Sequence, residues 1–248
     1  MILFPASGGA PEAAAPAFTV PALMHDRTVL GVAVVSAPRY QGSDRYRVVA
    51  VPVIELRYGR FFANPRKGIG YQFVKTRKLT VSAATTYVRG YRQADTPVGI
   101  GRLGSGVGAR VAVDYKTHGV RLTLGGTKVL SGGVDGALVD GGVSVPVPLS
   151  RRLVLMPSVT ATWADRSYND RYFGVTGVQS TASGLPVFHP GGGVKDVTAS
   201  LAAIYRVNDR ISLVATGAMA NIVGDARNSP IVRDRTQTSA VVSMTYRF

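Results

Sequence analysis

The stretch GIGRLG, Gly99 to Gly104, matches the G-x-G-x-x-G spacing that cradles a dinucleotide pyrophosphate. That chemistry needs a buried strand before the glycines and a helix after them, whose first N–H groups meet the phosphates. Here Pro97 interrupts the approach, and the glycines continue at Gly106 and Gly108 into an alternating segment, Val107 to Tyr115. They read as a long link followed by the small-residue face of a strand, where a bulky neighbour or a bend can fit. No cofactor is expected. The chain has no cysteine, and His25, His118 and His189 lie far apart without ligand-like spacing, so no metal site is expected either. Hydrolysis by a serine nucleophile needs a histidine and an orienting acid within reach. His118 falls in a short turn and His189 in a long loop, neither beside a Ser and an acid on one strand face, so the chain reads as a non-enzyme with no catalytic residue.

Charge is the next candidate for chemistry. Lys and Arg number 29 against 14 Asp and Glu, a formal net charge of +15. The basic residues are spread singly from Arg27 to Arg247, with no basic run or helix and no nucleic-acid-binding motif, which argues against a nucleic-acid partner. Anionic lipid headgroups or a basic pore lining remain as partners for that charge.

The elements that must position these charges have a period of two. At the C-terminus Thr236, Thr238, Ala240, Val242, Met244, Tyr246 and Phe248 form one face, and Gln237, Ser239, Val241, Ser243, Thr245 and Arg247 the other, because successive side chains of a strand point to opposite faces. Leu153, Leu155, Pro157, Val159, Ala161 and Trp163 alternate with Arg152, Ser158, Thr160 and Thr162, and Val107, Ala109, Val111, Val113 and Tyr115 with Gly108, Arg110, Ala112 and Asp114. Tyr46, Val48, Ala50, Ile54, Leu56 and Tyr58 likewise face away from Arg45, Arg47, Glu55 and Arg57.

Many of these segments exceed the usual globular strand of about five to six residues and suit a tilted transmembrane strand of about nine to eleven. No apolar window of about 18 residues exists, which excludes a transmembrane helix but not a barrel. Aromatics sit toward segment ends (Tyr46, Tyr58, Tyr87, Tyr91, Tyr115, Trp163, Tyr205, Tyr246, Phe248), where interfacial girdles belong. Short turns at 76–78, 116–119, 148–151 and 208–210 alternate with long links at 92–102, 131–136, 165–195 and 221–235. This alternation places the short turns in the periplasm and the long links outside. The fold class is therefore all-β: a single antiparallel transmembrane β-barrel over residues 27–248. About eleven strands can be counted, and the even number such barrels require makes twelve the favoured count and ten the alternative, with the uncertainty at Arg57 to Gly70. Residues 1–26 are rich in Ala and Pro and end a small-residue cleavage pattern at Ala15-Pro16-Ala17, but lack a positive start and a proper apolar core; they read as a truncated signal peptide or a disordered segment.

On the polar register Arg45, Arg47, Glu55, Arg57, Arg110, Asp114 and Arg121 should point into the lumen. They either form a charge network that fills a narrow interior or line an anion-favouring pore. The link from Asp165 to Lys195 is long enough to be functional. With Trp163, Tyr168, Tyr172, Phe173 and Phe188 it can form its own cluster as a plug, a lid or a docking surface, and Asp165, Arg166, Asp170 and Arg171 would order it by local ion pairing.

Several stretches carry a resemblance: GVAVVSAPRYQGSDRY (31–46), LRYGRFFANPRKGIG (56–70), TWADRSYNDRYFGVT (162–176), SGLP (183–186), GGGVKDV (191–197), GDARNSPIVRDR (224–235) and the final TYRF. Together they resemble the MipA/OmpV family of Gram-negative outer-membrane proteins, the MltA-interacting proteins. The resemblance implies a cell outer-membrane location and a scaffold that brings a lytic murein transglycosylase and a peptidoglycan synthase together. Other members of the family suggest a small channel or an adhesin-like surface protein instead. Resemblance to outer-membrane proteins generally implies that Tyr246 and Phe248 serve as a signal to the barrel-assembly machinery.

Overall fold

The computed structural model describes residues 27–65 and 67–248; the N-terminal segment 1–26 lies outside them. Long strands of alternating exposure dominate: β1 (Arg27–Pro38), β2 (Tyr46–Tyr58), β5 (Leu79–Val88), β6 (Gly106–Thr117), β7 (Val120–Gly132), β10 (Leu153–Ala164), β11 (Gly193–Arg206), β12 (Ile211–Ile222) and β13 (Thr236–Arg247). Shorter pieces complete the wall: β3 (Phe61–Asn64), β4 (Gly68–Lys75), β8 (Ala137–Ser144) and β9 (Val147–Pro148). Each strand pairs antiparallel with its neighbours, and β13 pairs with β1, so the sheet closes on itself. β8 and β9 both pair with β10 and occupy one place in the wall. The result is a closed twelve-strand antiparallel barrel. Closure pairs most of the backbone donors and acceptors that lipid cannot satisfy, the edge of β2 beyond its short partner β3 being the exception.

Both ends of the closing pair lie at one rim, since Val29 is opposite Arg247. That rim carries the short turns, which in outer-membrane barrels mark the periplasmic end. The other carries the links 39–45, 89–105, 133–136, 165–192 and 223–235. The apolar register faces outward: Val159, Val242, Leu124 and Met219 are among its exposed side chains. Tyr46, Tyr87 and Trp163 ring the outer end, and Tyr58, Tyr115, Tyr205, Tyr246 and Phe248 the periplasmic end. Tyr91 departs from this girdle. It sits in the link after β5 and is buried, because its ring packs against Tyr40 and Tyr172.

The 165–195 link is not irregular. It holds α1 (Arg166–Phe173) and α2 (Gly177–Ser183), each started by its own cap. Asp165 accepts from the Tyr168 N–H, and Thr176 with Gln179 forms a capping box. The difficult region of the sequence, Arg57 to Gly70, is difficult for a structural reason: it contains the four-residue β3 and its hairpin partner β4. GIGRLG lies wholly in the link before β6, which follows as a strand.

Candidate functional site

Side chains from five links, Val134 of the β7–β8 link among them, pack together at the outer mouth. Tyr40, Tyr91, Ile100, Leu103, Tyr168, Tyr172, Phe173, Val175, Ala226 and Ile231 form one buried cluster with Val88, Val129 and Ile222 from the strand tops. The rings of Tyr168 and Tyr172 stack at 5.8 Å, Tyr91 meets Tyr172 edge-on at 5.4 Å, and Tyr172 lies 4.8 Å from Phe173. Polar tips find partners at the margin: Tyr40 Oη donates to the Ile231 carbonyl at 2.8 Å, Gln179 Nε2 to the Ile100 carbonyl at 2.7 Å, and Ser229 Oγ to the Phe173 carbonyl. Burial therefore penalises the phenolates. The Tyr40 hydroxyl is pushed up to about 12 by desolvation, with the Asp44 carboxylate adding to it, and desolvation also raises Tyr91 and Tyr172.

A charged pair sits beneath the cluster. Lys195 and Asp196 are consecutive, yet both side chains are buried and bonded to each other. A bulge makes this possible: Thr162 faces Asp196 while Trp163 faces Val194, so Lys195 is the extra residue and both turn inward. Gln41 clamps the pair, donating to Asp196 at 2.9 Å and accepting from Lys195 at 3.0 Å, and the ammonium lies 5.8 Å from the centre of the Tyr168 ring. The sequence reading missed this pair. Its signal was two adjacent charges at the start of a strand otherwise built from small and apolar residues.

The expected loop cluster is assembled with one exception. Asp165 caps α1, Tyr168, Tyr172 and Phe173 are buried in the cluster, and Phe188 packs against it through its bridge to Val175. Trp163 belongs to β10 and points outward at 40% exposure, because it is on the membrane-facing register. Within the link, Asp170 pairs with His189 at 2.8 Å and Arg171 donates to the Gly133 carbonyl at 2.9 Å, which ties α1 to the β7–β8 link.

Of the expected lumen charges, Arg45 is placed differently. It precedes β2 in the outer link and is exposed. Arg47 is half-buried on β2 and pairs with Asp95 at 3.3 Å. Glu55 and Arg57 face each other at 3.3 Å, and Asp114 accepts from Lys67 at 2.9 Å. Arg110 makes a two-pronged pair with Asp140, at 2.6 and 2.7 Å. Gly125 makes room for it, since a Cβ there would collide with the Arg110 guanidinium. The network is thus concentrated on the β2 and β6–β8 side. The inner face of β10–β12 carries Ser158, Thr160, Thr198, Ser200, Ala202 and Thr216 instead.

At the periplasmic end the lumen holds a cavity of 420 Å³. Lys78, Lys116, His118 and Arg121 supply its polar lining, and Val154, Met156 and Ile204 its apolar back wall. Arg121 Nη1 is buried there without a hydrogen-bond partner. Among the described residues no cluster of three or more His, Cys, Asp or Glu is spaced to hold a metal.

Parts of this sequence match known proteins. Outer membrane protein Omp26La of Vibrio anguillarum is 30% identical over 96 residues, 38% of this chain and 36% of that protein, so the match spans about a third of that relative's length. Among solved structures, the KdgM porin is covered over 99% of its chain and 89% of this one at 8% identity and a TM-score of 0.47, and the NanC porin over 98% and 87% at 11% and 0.48. Residues 30–248 match the family described as MltA-interacting protein MipA. This outer-membrane β-barrel belongs to the MipA family.

Proposed function

We propose that the chain is a Gram-negative outer-membrane scaffold whose working face is periplasmic, where it brings a lytic murein transglycosylase and a peptidoglycan synthase together. The observation that carries this reading is the asymmetry of the two mouths. The outer one is filled by a dry aromatic cluster, and the inner one is a basic vestibule rimmed by Lys78, Lys116 and Arg121. A passive channel would need both ends open. Murein stem peptides and their processing enzymes offer carboxylates to such a rim, and opposite fields steer encounter. The family description, MltA-interacting, points the same way. The cation surplus of the inner wall favours a second reading, an anion-favouring channel gated at the cap.

The test is a binding titration with the barrel in nanodiscs and a purified lytic murein transglycosylase or peptidoglycan synthase. The reading expects saturable binding that weakens several-fold in the Lys78→Gln/Lys116→Gln double variant and falls with added salt. Absence of binding by the folded barrel, or binding indifferent to both changes, would count against it.

A further inference from the structure

The wall of the barrel is not continuous at every height. β3 pairs with β2 only at Leu56, Arg57 and Tyr58, and the β3–β4 hairpin turns back at Asn64 and Gly68. Among the described residues, no strand pairs that edge of β2 from Tyr46 to Ile54, although the opposite edge pairs with β1 along its whole length. The next full strand on the open side is β5, which pairs with β4 only as far as Thr85 opposite Ile69. Above the hairpin two strand positions are missing, nominally on the order of 14 Å between β2 and β5 at about 4.8 Å per strand spacing.

The sequence is adapted to this break. The Arg39 N–H donates to the Arg45 carbonyl, so odd-numbered groups of β2 turn toward β1 and even-numbered groups toward the break. Pro52 is even-numbered, and its missing N–H is on the open edge, where a proline costs the ladder no hydrogen bond. The carbonyls that share this edge cannot face hydrocarbon bare; they require water or a polar ligand group.

Behind the break the interior is apolar. Val49, Val51 and Val53 face inward and pack with Ala33, Val35 and Ala37. The inward side chains of β2 are all half-buried, whereas those of β11 from Asp196 to Ile204 are buried, so the β2 wall remains accessible. Above the break is a strap of cations. Arg89 and Arg47 both donate to the Arg39 carbonyl, at 3.2 and 3.1 Å, and Arg39 and Arg47 share one carboxylate, Asp95. Two guanidinium groups therefore share a single acid, with Arg89 bonded beside them, and Arg47 Nε is buried without a hydrogen-bond partner.

We propose that this break is a lateral port, open toward the outer leaflet, that seats an amphiphile bearing an acyl chain and an anionic head. The chain lies against Val49, Val51 and Val53, and the head is held by Arg47 and Arg89. Apolar side chains inside a barrel are poor company for water, and a surplus of arginine at the rim selects a phosphate or carboxylate. The ligand comes from the bilayer or as a free fatty acid; both present the same chemistry.

The chain contains one tryptophan, so Val51→Trp in a Trp163→Phe background places a single indole behind the break, the port reporter. Thr160→Trp in the same background places it on β10, which is paired on both sides, and serves as the wall reporter. Two probes are used, dibromostearate and phosphatidylglycerol brominated on its acyl chains, with the folded state followed by heat-dependent gel mobility. The expected result is saturable quenching of the port reporter but not of the wall reporter, with an apparent Kd raised at least several-fold by Arg47→Gln/Arg89→Gln. Quenching by dibromostearate assigns a fatty acid, and quenching by the phospholipid alone assigns a bilayer lipid. Quenching of the port reporter no greater than that of the wall reporter by either probe, or an affinity unmoved by the arginine changes, overturns the proposal. Should Val51→Trp fail to fold, native mass spectrometry of the unaltered protein decides: retention of stearate or phosphatidylglycerol that is reduced by the arginine changes supports the port, and failure to retain either overturns it.

Discussion

The two mouths of this barrel are built from opposite materials. The outer one buries four tyrosines and Phe173 over a desolvated Lys195–Asp196 pair, and the inner one leaves lysines, His118 and Arg121 around a cavity. A dry end resists opening because each side chain removed leaves a void or an unpartnered charge. A wet, charged end tolerates substitution and is free to meet a partner. Stability is therefore concentrated in the outer cluster, and room for a soluble partner at the inner rim.

That contrast can be broken most severely at the outer end. Asp196→Ala leaves the Lys195 ammonium buried without its acid, and a broken buried pair costs about 3 to 5 kcal/mol; Phe173→Ala should cost a similar amount through its cavity. Both are read as loss of stability in urea titrations of the refolded barrel. A somewhat smaller effect tests the facing of the wall between the two ends: Val242→Arg puts a charge on the lipid side and should cost about 2 to 4 kcal/mol, read the same way. Unchanged folding would mean that Val242 does not face lipid.

Alkaline titration separates the ends without mutation. The Tyr40 hydroxyl is held at about 12, above its ordinary 10, and Tyr91 and Tyr172 are raised too. A raised folded value means that these neutral phenols contribute stability in full below pH 10, lost as pH rises through the folded values. The links should become protease-sensitive above about pH 10 while the strands persist, as seen by circular dichroism. The smallest effect belongs to the inner rim, where Lys78→Gln should alter stability by no more than about 0.5 kcal/mol. The same urea titration should be nearly superimposable on that of the parent.

The long strands were legible because one face is lipid-bound and the other is not, which writes a period of two into β10 and β13. β3 was not: four residues between Gly59 and Pro65 carry too few alternations to stand out. The helices α1 and α2 are eight and seven residues long and are held by caps and by the cluster they complete, so periodicity could not reveal them. The Thr176 and Gln179 spacing of a capping box was the available sign. Asp165, Tyr168, Tyr172, Phe173 and Phe188 were recognised as a group from aromatic density. Trp163 was drawn into that group by proximity in sequence, although its register sends it to the membrane. Lys195 and Asp196 stayed hidden because a bulge, invisible to strict alternation, turns both inward.

The measurement that bears most directly on the asymmetry is single-channel recording in a planar bilayer, comparing the intact barrel with one in which residues 166–190 are replaced by a short Gly-Ser link. A sealed outer mouth predicts silence from the intact, demonstrably folded protein and stepwise, anion-favouring currents once the helical link is removed. Stepwise conductance by the intact protein would contradict a sealed outer mouth and make the chain a channel.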